Sequence, residues 1–292
     1  MIIDIHTHIF PKKIAASTLE TLSGKSHSTP FTDGTLDGLL NSMKKFHVDV
    51  SVILLVATKP AQVIKINDNA AQINEEFSDA GIISFASMHP DFENFRAELS
   101  RVKNLGFKGI KIHPVYQDTD LDDKKFLQIF YRAAELDLIV ITHAGLDIGF
   151  PNVIRCSPKM ARHVVEEIGE FKFILAHMGG WKNWGEVAAE LADVNIFIDT
   201  AFSTGLIPAK DNFYSADELK MLDAENFMKL YKIFGADKII FGTDSPWMAQ
   251  GTPIDFINAL PISDVDKNKI FGDNAAKLLN QSSITCGKIS AS

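Results

Sequence analysis

Two histidines near the start of the chain, His6 and His8, are the first residues whose types and spacing suggest chemistry. They close the stretch Ile2-Ile3-Asp4-Ile5-His6-Thr7-His8, an apolar run that reads as a buried strand. Residues two apart on a strand share a face, with Cα atoms roughly 6.5 Å apart. Both imidazoles therefore leave the strand on one side, and two neutral imidazoles held that way can grip one divalent metal. A lone His-x-His is a weak signal, because two polar loop residues look the same. Other polar residues strengthen it by falling at the ends of later apolar runs. These are Lys111-Ile112-His113, Thr142-His143-Ala144-Gly145, Ala176-His177-Met178-Gly179 and Gly242-Thr243-Asp244-Ser245-Pro246-Trp247. Each alone has a plainer reading. His143 suits a satisfied core histidine, His177 a helix cap, Asp244 a turn residue, and Lys111 a stem reaching solvent. His89 and His113 each precede a proline and suit strand ends. It is the joint recurrence that outweighs these readings.

The runs that must position those residues alternate with helical segments. Apolar strands are expected at about 2–6, 50–56, 82–88, 107–113, 138–143, 171–177, 194–200 and 238–244. Helical spacing occupies 35–46, 60–79, 92–105, 123–136, 158–169, 183–192, 215–234, 253–260 and 264–280. Strand–helix alternation implies parallel strands with right-handed crossovers. Eight such units predict a closed (β/α)8 TIM barrel, in which chemistry sits at the C-terminal strand ends. No Gly-x-Gly-x-x-Gly follows an early strand, so a dinucleotide fold has no support. Residues 1–281 are expected to form this single domain, and 282–292 a polar tail. The connection from Ile9 to Gly34 reads as mixed, with a short helix opening near Pro11 and a loop from Gly24 to Pro30. His27 in that loop reads as an exposed polar residue.

Composition sets the outer bounds. The 292 residues are 46% hydrophobic and 23% charged, which is ordinary for a globular chain. A net charge of -8 with no basic stripe argues against nucleic acid as partner. Two distant cysteines, Cys156 and Cys286, rule out a disulfide framework and a Cys-rich zinc motif. No signal-peptide pattern or long apolar run is present, so no membrane association and a cytoplasmic location are expected. A small-molecule substrate is the expected partner, and a homodimer is compatible with the sequence.

With these motifs in order, the sequence resembles the amidohydrolase superfamily, specifically the amidohydrolase-related branch that contains aminocarboxymuconate-semialdehyde decarboxylase, aromatic decarboxylases and lactonases. The resemblance runs from Asp4 to the segment 271–279, and the Phe241-Gly242-Thr243-Asp244-Ser245-Pro246-Trp247 stretch is similar to the branch's Gly-Thr/Ser-Asp-x-Pro pattern. It implies one divalent metal ion, zinc by expectation, held by His6, His8, His143 and Asp244. It implies that His177 carries a proton beside the metal-bound water. Elsewhere in the superfamily a strand-four lysine is carboxylated and bridges two metals. Lys111 is expected here as an unmodified amine.

A zinc site with one open position makes its water acidic, with a pKa near ~7. His177 suits a proton shuttle near neutral pH. The metal-bound hydroxide can attack a carbonyl, giving hydrolysis, or a ring carbon, leading to decarboxylation. The ligand set serves both. No cluster of arginines marks the strand ends, so hydrolysis of a small lactone, ester or amide is the expected reaction, ahead of decarboxylation of an aromatic or muconate-type acid. Lys111, His113, Arg155 and Trp247 are the candidate substrate contacts, with Trp181, Phe10 and Phe202 as further wall residues. Arg155 suits bidentate pairing with a carboxylate, although a surface arginine looks no different. A non-catalytic barrel would lack ligands, and none is missing. A carbohydrate-active barrel needs two strand-end carboxylates, and only Asp244 and the deeper Asp199 lie near such places.

Overall fold

The computed structural model describes residues 1–280, so the expected tail at 282–292 lies outside the described residues. The chain forms eight parallel strands hydrogen-bonded in sequence order: β1 (Ile3–Thr7), β2 (Val50–Leu54), β3 (Ile82–Ser87), β4 (Gly109–Ile112), β5 (Ile139–Thr142), β6 (Phe173–Leu175), β7 (Phe197–Asp199) and β8 (Ile239–Ile240). The ring closes between β8 and β1, where Ile5 N donates to Phe241 O at 3.0 Å and Asp244 N to His6 O at 2.8 Å. Thr7 and Ser245 add a parallel bridge at the same seam. The fold is the expected (β/α)8 barrel.

Helices cover the outside: α1 (Ala15–Ser26), α2 (Leu36–Phe46), α3 (Val63–Phe77), α4 (Phe95–Asn104), α5 (Lys124–Glu135), α6 (Pro158–Ile168), α7 (Trp184–Glu190), α8 (Ala224–Phe234), α9 (Gly251–Ala259), α10 (Asp264–Asn268) and α11 (Asn274–Leu279). Several start where side-chain oxygens satisfy free amides. Thr35 accepts from Gly38 N, Asp123 from Lys125 N, Ser157 from Met160 N and Asp223 from Asn226 N.

Side chains alternate along the strands between two cores. Ile3, Ile5, Val50, Val52, Leu54, Ile139, Ile141, Ile174 and Ile240 fill the barrel interior, and Ala275, Leu278 and Leu279 of α11 join them. Ile110, Ile112, Val140, Phe173, Ile198 and Ile239 face the helical layer. On this alternation Lys111, His143, Asp199 and Asp244 belong to the interior face, above or among those residues.

Three expectations change. Residues 15–26 form a full helix through Gly24, where a loop was expected. The segment expected as one helix over 264–280 divides into α10, a π-helical turn at Lys269–Asp273, and α11. The helix expected from about 215 begins only at Ala224. The residues before it instead bridge back to 204 and 206.

Candidate active site

His6 and His8 do converge, but a plain strand period does not explain it. Ile3 and Ile5 point into the barrel, so strict alternation would send His6 outward beside Asp4. The β1–β2 register shifts between Asp4 and Thr7, and such an irregularity re-aims side chains. Both imidazoles thereby reach the mouth, with their Nε2 atoms 3.2 Å apart. Asp4 stays on the outer face, fully buried. Its carboxylate accepts from Thr243 N and Oγ1, from Gln250 Nε2 and from His6 N. Four donors on one carboxylate tie β1 to the chain just ahead of Asp244.

Asp244 completes the group. Its Oδ1 lies 3.4 Å from His6 Nε2 and 3.0 Å from His8 Nε2. Its φ of 65° places it in the left-handed region, as do the 60° of His177 and 54° of Met178. Non-glycine residues hold that conformation only where surrounding contacts enforce it, and here the Asp244 N to His6 O bond does so.

The outer nitrogens settle what the inner ones do. His6 Nδ1 donates to Asp199 Oδ2 at 2.8 Å, and His8 Nδ1 to Leu54 O at 2.8 Å. Both Nε2 atoms therefore present lone pairs to each other and to a carboxylate. Acceptors so close repel unless a cation lies among them. In a tetrahedral site with bonds of about 2.0–2.1 Å, ligand atoms stand about 3.3 Å apart, and the three observed separations bracket that value. The donor set fits a divalent ion. The His6–Asp199 contact is the carboxylate support that metal-bound imidazoles characteristically carry.

On the β5–β6 side, His177 Nδ1 donates to Ala201 O at 2.9 Å, and its Nε2 meets His143 Nδ1 at 3.0 Å. His143 Nε2 lies 3.1 Å from Leu146 O. The His143 ring stacks on His113 at 4.4 Å, and His113 on Tyr116 at 3.9 Å. Asp147 Oδ2 stands 3.5 Å from His113 Nε2 and 4.0 Å from His143 Nε2. The structure thus gathers His6, His8 and Asp244 at one point and sets His143 in a second group with His113 and Asp147. Lys111 Nζ, buried, lies 3.1 Å from His6 Nε2.

Burial governs the charges. It brings the Lys111 amine down to about 8, against the pull of Asp199 and Asp244. It drives His6, His113 and His143 well below 6.5 and lowers His177 as well. Burial also pushes Asp147 up to about 6. At Asp244 burial raises the carboxyl, but His8, His6 and His177 outweigh it and bring it down to about 2. Asp244 is the fixed negative charge of the site.

These groups floor a cavity of about 630 Å³. Phe10, Tyr116, Trp181, Phe202 and Trp247 line it, as the sequence suggested for four of them. Arg155 does not line it. Its guanidinium is held outside by Asp118 at 2.5 Å and Asp120 at 2.9 Å. Asp147 and Tyr116 were not anticipated, since neither sits at a strand end by periodicity. Asp199 was noticed only as a stray carboxylate. Its depth on β7, inward-facing below the His-x-His pair, was the available signal.

A barrel with its polar residues gathered at the C-terminal mouth, and with a His/Asp group there that could hold a divalent ion, is an architecture that metal-dependent enzymes use. A family model described as amidohydrolase matches residues 3–281, and the chain belongs to that family. No protein of curated function matches it in sequence. Among solved structures it is similar to 2,6-dihydroxybenzoate decarboxylase from Rhizobium, at 18% identity and a TM-score of 0.66, covering 96% of this chain and 98% of that one. It is similar to 5-carboxyvanillate decarboxylase from Sphingomonas paucimobilis, at 15% identity, TM-score 0.67 and coverage of 96% and 98%. A dihydroxybenzoic acid decarboxylase from Polaromonas, with bound manganese and 2-nitroresorcinol, matches at 16% identity, TM-score 0.66 and 96% of both chains. These matches establish the shared fold. They also overturn the expectation of carbonyl hydrolysis, since the reaction named for each of them is decarboxylation. The ligand set was common to both reactions, so the absence of an arginine cluster was a poor guide.

Proposed function

We propose that the chain is a metal-dependent, non-oxidative decarboxylase of an aromatic or muconate-type carboxylic acid, with residues 1–281 as one catalytic domain. The observation that carries this reading is a charged, histidine-lined floor opening into a mostly apolar, aromatic-walled cavity. A carboxylate is costly in such surroundings and neutral carbon dioxide is not. The cavity therefore favours the direction in which charge leaves the carboxyl group.

His6, His8 and Asp244 would hold the ion, with His143 the further ligand expected from sequence. Zinc suits two imidazoles and a carboxylate, and manganese is the alternative given the Polaromonas structure. A divalent ion there supplies a Lewis acid for the substrate's oxygen atoms. The rest falls to the protein. Lys111 offers positive charge at the floor and Trp247 a flat face for a planar substrate, while His113, its ring held between those of His143 and Tyr116, offers its edge. His177 serves as the acid. Its Nδ1 is committed to Ala201 O, so Nε2 is the atom that carries the proton. The bond between ring carbon and carboxyl carbon breaks, its electron pair stays on the ring carbon, and that carbon takes the proton as carbon dioxide departs.

The test is to load the purified protein with zinc or manganese and supply hydroxybenzoic and muconate-type acids. Carbon dioxide should be released in step with loss of the acid, and the release should disappear in His177→Asn. Absence of release from every acid, alongside turnover of lactones or esters, would end this reading.

A further inference from the structure

We infer that the substrate acid carries an extended apolar arm, bound between α1 and the start of α3, and that Leu22 and Ile66 set its length. This rests on the reading that the histidine floor takes a carboxylic acid. At the ~30 Å³ that a liquid water occupies, the cavity of about 630 Å³ has room for roughly twenty water-sized atoms, about twice the non-hydrogen atoms of a one-ring dihydroxy acid. The surplus space has a definite lining. Ile14, Thr18 and Leu22 recur every four residues along α1 and its entry, so one face of that segment looks into the cavity. The neighbouring face of α1 is spent on packing, through Ala15, Leu19 and Ser23. Leu55, Val56 and Ile66 line the same cavity from the end of β2 and from α3.

Most of these apolar side chains stay partly open to water. Ile14 is 50% exposed, and Leu22, Leu55, Val56 and Ile66 are half-buried. Apolar surface left wet inside a concavity gains when an apolar ligand covers it. The polar cavity residues Lys25, Ser26 and Ser28 lie at and just past the C-terminal end of α1, and Gln62, Lys65 and Asn69 lie just before and along α3. The apolar stretch is thus bounded by polar groups, which suits an arm of limited length.

The experiment compares hydroxybenzoic acids bearing alkyl chains of increasing length on the metal-loaded protein. Each methylene should raise kcat/KM about three- to fourfold until the space fills. Leu22→Trp, and independently Ile66→Trp on the facing wall, should pull the ratio of long-chain to chain-free kcat/KM back toward one. Both sites are half-buried, and thermal melts of each variant check folding. In parallel, binding of dodecanoate and of benzoate is measured by calorimetry, which needs no turnover. Dodecanoate should bind at least tenfold more tightly, with the preference lost in both variants. If acids lose carbon dioxide but the chain brings no gain, the arm is wrong and the reaction stands. If dodecanoate binds with the stated preference and no acid reacts, the arm stands and the reaction is wrong. A preference for benzoate, or Trp variants that leave the ratio unchanged, overturns the inference.

Discussion

The two histidine groups at the barrel mouth are built differently. In the first, His6 and His8 each have the outer nitrogen tied at 2.8 Å, and their inner nitrogens meet Asp244 at 3.4 and 3.0 Å. In the second, His113 and His143 stack flat on each other, and Asp147 stands off at 3.5 and 4.0 Å. Similar residue types are therefore arranged differently. In the first group the inner nitrogens converge on a carboxylate oxygen, whereas in the second the rings stack face to face and the carboxyl stands further off. His143 has a backbone partner too, Nε2 to Leu146 O at 3.1 Å, so the direction in which the rings face is what distinguishes them.

That contrast can be broken most directly at the first group. His8→Ala and Asp244→Ala should lose the bound ion and, with it, several kcal/mol of charge stabilisation, or about 10³-fold in turnover. Elemental analysis beside the assay checks this, and a variant that keeps full metal content refutes the assignment. His177→Asn should keep the ion and lower turnover by about 10²–10⁴. If it strips the metal as completely as Asp244→Ala, His177 is a ligand.

Removing the support without the ligand is the sharper probe. Asp199→Asn should weaken metal affinity about 10- to 100-fold, measured by competition with a chelating dye, while the fold persists. An unchanged affinity would place the cause of convergence elsewhere, in the β1 register shift.

At the second group the expected effect is on stability. Asp147 has a folded pKa of about 6 because it is buried, against 3.8 when exposed to water. The folded state therefore holds the proton more tightly. Its stabilising contribution is present below pH ~4 and is lost as pH rises through 6, by up to about 3 kcal/mol. Asp147→Asn should melt increasingly above wild type between pH 4 and 6.5, with metal content unchanged. A gap that stays flat with pH contradicts the burial account. The smallest effect belongs to Arg155→Ala, outside the cavity and paired to exposed carboxylates. It should change kcat/KM by no more than about twofold and stability by no more than about 1 kcal/mol.

The barrel was legible because its interior strands are apolar runs and its chemistry falls where those runs stop. Lys111, His143, His177 and Asp244 could be found that way. What could not be read depends on the third dimension. The β1 register shift leaves no trace in composition, yet it decides where His6 points. Asp147 and Tyr116 lie in loops after β5 and β4, whose course no periodicity sets. Arg155 was a plausible anion contact until Asp118 and Asp120, more than thirty positions earlier, claimed it. The short helix expected near Pro11 runs on to Ser26, further than expected because its Ser, Thr and Gly residues favour turns locally, and packing of Ala15 and Leu19 overrides them. The reaction could not be chosen from ligands that serve both alternatives.

The seam where β8 meets β1 has a consequence in time. Asp4 and Thr243, joined there, are 239 positions apart, and the proposed ligands His6, His8 and Asp244 lie at the ends of the same two strands. A ribosome delivers His6 and His8 almost at once and Asp244 only after most of the barrel has emerged. Until then two imidazoles wait without their carboxylate, and α11 has not yet closed the floor beneath them. Any sheet that forms before β8 emerges leaves the β1 edge unpaired. The proposed ion site can be complete only after Asp244 has emerged and its backbone has bonded to His6.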